Sequence, residues 1–154
     1  MQPTPKRDFS ARAVARMAKH EEIALGHIGL SLPQFRVLIL LSEGSAAASA
    51  LASRLAVSPP SVTAIVDGLV ARGLVERRPD AGDRRRVAHV LTDDGRRLLD
   101  EADAAATARL HDIAAYLPPD EESQVLEALG VWHKALDAFL EARTNAAKSV
   151  ERLG

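Results

Sequence analysis

Five arginines fall within ten positions in RRPDAGDRRR, Arg77 to Arg86, around a Pro-Asp-Ala-Gly turn signal. A guanidinium carries a rigid fork of N–H donors that matches phosphate and carboxylate oxygens two at a time. Such a turn suits an anionic partner, although an arginine-rich turn by itself is most often only a solvated surface. The histidines offer less. HEEIALGH has the outline of a zinc-protease helix, but His20 and His27 lie two turns apart, about 10 Å along a helix axis, too far to share one ion. A metal would need His89, His111 or His133 brought in by folding. No Gly-rich phosphate loop and no nucleophile–base motif is visible. No catalytic residue, cofactor or metal is therefore assigned, and an enzyme is not expected.

The net charge of −1 hides an asymmetry. Arg72, Arg77, Arg78, Arg84, Arg85, Arg86, Arg96 and Arg97 crowd the middle of the chain. From Asp100 to Glu127 the sign reverses, and eight acids face Arg109 alone. A basic module beside an acidic one suggests a local anionic partner, with nucleic acid first in line.

The elements that must position these arginines follow from patterning. A chain of 154 residues with 47% hydrophobic and 27% charged residues suits one globular domain with a real core. Aromatics are only 3%, and the alanine- and leucine-rich remainder favours packed helices. No apolar run approaches the roughly 20 residues that span a bilayer, so no membrane partner is expected. MQPTPKRDFS lacks the apolar core of a signal peptide. The absence of cysteine excludes disulfides and thiolate metal sites. The expected location is the cytoplasm.

A first helix is expected from Phe9 to about Ile28. Ser31 and Gln34 stand at capping-box spacing before a buried helix, Phe35 to Leu41, stopped by Gly44. A short helix covers Ala48 to Ala56, with Leu51 and Leu55 inward. Ser58 caps the next helix, and Pro59 and Pro60 are tolerated in its first turn. Val62, Ile65, Val66, Leu69 and Val70 give that helix one apolar face, and Gly73 sits just past its end. LVERR and RVAHVL read as two strands around the arginine turn. Thr92 caps a helix running to Leu117, where Pro118 and Pro119 break it. A last helix carries Val125, Leu129, Trp132, Leu136, Phe139 and Leu140 as core or dimer seam, and should fray from Asn145.

Helix, helix, turn, helix, hairpin is the order of a winged helix-turn-helix, in which the second helix of the motif enters the major groove. The expected fold is mainly α, an α+β winged helix with six helices and a two-stranded wing, flanked by helical regions. The divisions are 1–30, an N-terminal helix; 31–92, the DNA-binding winged module; and 93–154, the closing helices. Ser58, Ser61 and Thr63 present small polar groups at the recognition-helix start, and its N-terminus is expected to offer free N–H groups to a phosphate. The wing would add guanidinium groups, which suit phosphates and narrow minor grooves.

From about Leu30 to Leu117 the chain resembles the MarR family of bacterial transcriptional regulators. The resemblance rests on SLPQFRVLILL, on LASRLAVSPPSVTAIVDGLVARGLVERRPDAGDRRRVAHVLTDDGRRLL, and on the two closing helices. It implies a homodimer, with the N-terminal dimerisation helix of 1–30 and the closing helices of 93–154 interlocking as the dimerisation region, that binds double-stranded DNA at a palindromic operator, represses transcription, and is released by a small-molecule effector. The family's Asp-any-Arg wing motif falls on Asp83, Arg84 and Arg85, with Asp83 orienting Arg85 by a salt bridge and Arg86 alongside. Ser58, Pro60, Ser61 and Thr63 match the exposed face of the recognition helix. The chain departs from the family at Ala64, where many members have arginine, and at Ala47, where many have a Ser or Thr cap. Members often bind small aromatic or phenolic compounds between their two regions. His27, Phe35 and Arg36 fall near that place but fit core and packing roles equally well, so no effector residue is assigned. The alternative is a sensing or protein-interaction module on the same scaffold with little DNA binding.

Overall fold

Local capping signals start several of the helices seen in the computed structural model, which describes residues 10–83 and 85–151, with side chains to residue 142. Phe9, expected to open the first helix, and Arg84 lie outside the described residues. The order is α1 (Ser10–His27), α2 (Leu32–Ser42), α3 (Ala48–Leu55), α4 (Pro59–Ala71), β1 (Val75–Pro79), β2 (Val87–Leu91), α5 (Asp93–Ala114) and α6 (Pro119–Glu151). The Ser31 hydroxyl accepts from the Gln34 amide while the Gln34 side chain accepts from the Ser31 amide, completing the capping box of α2. Ser58 caps α4 with Pro59 and Pro60 in the first turn, a cap contributing about 1 kcal/mol. Ala47 leaves α3 without a side-chain cap, and Ala56 ends that helix in the left-handed region at φ 54°, where an L-residue costs about 1 kcal/mol or more.

The chain divides into two units, Met1–Arg109 and Leu110–Gly154. In the first, α2, α3 and α4 turn their apolar faces onto a shared core with Leu25 of α1 and Leu99 and Ala102 of α5. Leu38, Leu51, Val62 and Leu69 are fully buried there. Phe35 is only 4% exposed and belongs to this core, whereas His27 and Arg36 are exposed. The hairpin pairs antiparallel, from Val75 opposite Leu91 at the root to Pro79 opposite Val87 near the tip. Ala46 adds an isolated bridge to β2: its amide and carbonyl both bond the backbone of His89, whose buried Nδ1 also meets the Ala46 carbonyl at 3.2 Å.

The hairpin root is a dense knot. Thr92 donates its amide to the Leu74 carbonyl at 3.1 Å and its hydroxyl to the Gly73 carbonyl at 2.7 Å. The same hydroxyl accepts from the Gly95 amide at 3.0 Å and so caps α5. Gly73, at φ +71°, takes the turn that lets Leu74 leave α4 for β1. Gly95 is buried, and a Cβ there would lie 2.1 Å from the Leu74 carbonyl oxygen.

In the second unit, two expectations about helix ends are corrected. α5 stops at Ala114 instead of reaching Leu117, and Ala115–Leu117 form a turn. Leu117 precedes Pro118, whose ring disfavours helical geometry in the residue before it. α6 keeps a helical backbone to Glu151, past the fraying expected from Asn145. The segment is rich in alanine and free of proline and glycine, so nothing local ends it. Trp132, Leu136 and Phe139 are 65%, 55% and 59% exposed, so they are not core within this chain.

Two stability outcomes follow from unit Met1–Arg109. Gly95→Ala should cost about 1–3 kcal/mol, because the methyl must displace the Leu74 backbone; urea denaturation measures it. Burial raises the Glu21 carboxyl above its ordinary 4.5, and the Arg36 guanidinium only partly opposes this. The folded state then holds the proton more tightly than the unfolded state, so this group's contribution to stability falls as pH rises through that window. Glu21→Gln should therefore melt higher than the parent at pH 7 and lose that advantage below pH ~4. Calorimetry at both pH values checks it.

Candidate nucleic-acid interface

The exposed start of α4 is shaped by its own hydroxyls. Ser58 Oγ accepts the Ser61 amide at 3.3 Å and shares a hydrogen bond of 2.7 Å with Ser61 Oγ. One of those two hydroxyl protons is therefore left for a partner. Thr63 Oγ1 donates to the Pro59 carbonyl at 3.0 Å, which commits its proton and leaves the oxygen able to accept. Pro60, Ser61, Thr63 and Ala64 are all exposed, while Val62 and Val66 anchor the opposite face.

The expectation of free N–H groups at this helix start is not met. Pro59 and Pro60 have no N–H to give. The Ser61 amide goes to Ser58 Oγ, and the Val62 amide goes to the Ser58 carbonyl at 3.1 Å. A phosphate at this end would have to be met by side chains and not by the helix terminus. This was legible in the sequence from the two prolines together with the capping serine.

The wing's charge is more balanced than its composition suggests. Arg77 on β1 pairs with Asp67 of α4, and Arg78 pairs with Glu76. Arg86 Nε lies 3.6 Å from Asp83 Oδ2. Arg85 is exposed and forms no ion pair among the described residues. The expected salt bridge from Asp83 to Arg85 is corrected: Asp83 Oδ1 instead accepts the Arg85 backbone N–H at 3.0 Å. A short aspartate side chain folds back readily onto the amide two residues on. Asp83 thus holds the Arg85 backbone and leaves its guanidinium uncommitted. Arg84 belongs to the expected set but lies outside the described residues.

Three contributors were missed from the sequence. Asp67 ties the helix to the wing across ten positions, a separation no helical or strand period signals. Arg72, just past α4, donates to the Gly29 carbonyl at 2.8 Å and fixes the helix end to the α1–α2 turn. Asp80 shapes the wing turn, where it had been seen only as part of a turn signal. The assembled surface places small hydroxyls and an exposed proline on one helix face, joined by an ion pair to a hairpin that ends in an uncommitted guanidinium. It can accept and donate short hydrogen bonds, contact a thymine methyl through Thr63, and attract phosphate through Arg85.

Comparison with known proteins gives this geometry a context. The MarR family model matches residues 28–86. The transcriptional regulator AdcR of Streptococcus pneumoniae is 35% identical over 97 residues, 60% of this chain and 66% of AdcR, so the match spans just under two thirds of that relative. The HTH-type transcriptional repressor MdtR of Bacillus subtilis is 31% identical over 125 residues, 80% of this chain and 77% of MdtR. The crystal structure of CouR from Rhodococcus jostii RHA1, bound to p-coumaroyl-CoA, superposes with a TM-score of 0.62 at 29% identity, covering 77% of this chain and 85% of CouR. The mainly helical architecture with a two-stranded wing, the matched helix-turn-helix and wing, and the identity to MdtR lead to one conclusion: this chain belongs to the MarR family of transcriptional regulators, with a DNA-binding winged helix-turn-helix.

Proposed function

We propose that this chain is a cytoplasmic repressor that binds a palindromic operator as a homodimer and is released by a small-molecule effector. The observation that carries the reading is the union of two DNA-facing parts in one module: the Asp67–Arg77 pair joins the polar start of α4 to the wing that presents Arg85. Ser58, Pro60, Ser61 and Thr63 would face the major groove. Asp83, Arg84, Arg85 and Arg86 would form the wing contact. Repression is supported by the name of MdtR, and an effector by the acyl-CoA bound to CouR. Among the described residues, no single helix is long and apolar enough to cross a membrane. The second copy is supported by α6, where Val131, Trp132, Leu136 and Phe139 are more than half exposed. Burying each such side chain stabilises an assembly by roughly 1.5–3 kcal/mol, and a two-fold protein suits a palindromic site.

Sedimentation combined with a gel shift on DNA from upstream of its own gene tests this directly. The expected result is a dimer at micromolar concentration whose DNA binding weakens steeply with salt. A monomer that shifts no DNA would leave the sensing or protein-interaction module, the reading that Ala64 and the neutralised Arg77, Arg78 and Arg86 favour.

The uneven pairing of the arginines gives a second outcome. Arg85→Ala should weaken DNA binding by about tenfold and lower the salt slope by about one. Arg78→Ala should do less, because Glu76 already occupies that guanidinium. Neither should move the melting temperature, since both side chains are exposed. Equal losses from the two variants would show that ion pairing within the wing does not rank its arginines.

A further inference from the structure

The wing tip is built as a relay of two carboxylates. Asp80 Oδ1 accepts two backbone N–H groups, from Gly82 at 2.8 Å and from Asp83 at 3.1 Å. Asp83 Oδ1 in turn accepts the Arg85 amide at 3.0 Å. Two backbone bonds of 2.9 Å close the turn, from the Asp80 amide to the Arg86 carbonyl and from the Arg86 amide to the Asp83 carbonyl. The peptide that carries Asp83 is thus fixed by Asp80 before Asp83 fixes Arg85.

An acid is an unfavourable choice here on charge alone. A surface that meets phosphates gains from each cation and loses from each anion. Asp80 has no ion pair among the described residues that would offset its charge. What the turn takes from it is an acceptor oxygen with two occupied lone-pair sites, and that service does not require a charge.

We propose that Asp80 is a positioning residue for DNA binding, whose side-chain oxygen sets the wing-tip backbone that presents Arg85, against the electrostatic cost of its own charge. The proposal rests on the reading of the chain as a DNA-binding regulator. It separates the role of the oxygen from the role of the charge, and two substitutions divide them. Asp80→Asn keeps an acceptor oxygen and removes the charge. Asp80→Ala removes both.

Parent and both variants are titrated with a duplex from upstream of the chain's own gene and with a scrambled duplex of equal length, at several salt concentrations. Backbone amide exchange of Gly82 and Asp83 is measured by NMR without DNA. Asp80→Asn should bind the upstream duplex several-fold tighter than the parent and keep both amides protected. Asp80→Ala should bind it several-fold weaker, although it loses the same charge, and both amides should exchange at least tenfold faster. Equal tightening in both variants would overturn the proposal, because charge alone would then explain Asp80. Equal weakening would overturn it too, because the carboxylate rather than an acceptor would be required. Unchanged binding by Asp80→Ala, or unchanged exchange of its two amides, defeats the proposal while leaving the DNA-binding reading intact. A parent that binds neither duplex defeats that reading, and the proposal with it.

Discussion

The Leu74 carbonyl, the Thr92 side chain and the missing side chain of Gly95 meet at the hairpin root, and the geometry of the DNA-facing elements hangs on that meeting. Thr92 closes the hairpin on Leu74, reaches back to Gly73 at the end of α4, and caps α5 through Gly95. A Cβ on Gly95 would overlap the Leu74 carbonyl. Three elements therefore share one point with no spare volume. Close-packed interiors do not absorb displacements of this size gradually. A shift at the root is passed to the wing, whose tip lies beyond Pro79 and Val87.

Above the root, electrostatics decides orientation more than stability. The pairs Arg77–Asp67, Arg78–Glu76 and Arg54–Glu43 are exposed on both sides, and such pairs contribute about 0–1 kcal/mol. Their value lies in geometry. Asp67 ties β1 to α4, which relates the helix and the wing to each other. The neutralised arginines leave Arg85 as the exposed wing cation without an ion pair among the described residues. A recognition helix with hydroxyls, proline and Ala64 in place of a long basic side chain makes that remaining charge weigh more heavily. Groove width and backbone charge, which an arginine wing would read, carry less base identity than two-pronged contacts in the major groove.

Much of the fold was legible because its signals are local. Ser31 with Gln34, Ser58 before Pro59 and Pro60, and Gly73 after α4 each act within four residues of the helix end that they set. Their geometry is as the types and spacings imply. The apolar stripes of α2, α3 and α4 likewise face the core. The misjudged points also have local causes. Pro118 ended α5 at Ala114, three residues before Leu117, and the prolines of α4 had already removed the N–H groups assigned to a phosphate. Both were open to a stricter reading of proline.

What the sequence determined by itself is the succession of helices and strands, the faces they bury, and the concentration of arginine on one turn, because periodicity and capping are short-range. What only the tertiary structure decided is how these elements are joined, and with it the pairing of Arg77 to α4. Asp67 and Arg77 are ten positions apart, Thr92 and Gly73 nineteen, and Ala46 and His89 forty-three. No period of 3.6 or 2 residues brings such groups together. They meet only after the helices have packed, and that packing takes up the Arg77 guanidinium, whereas Arg78 and Arg86 pair with acids two and three positions away.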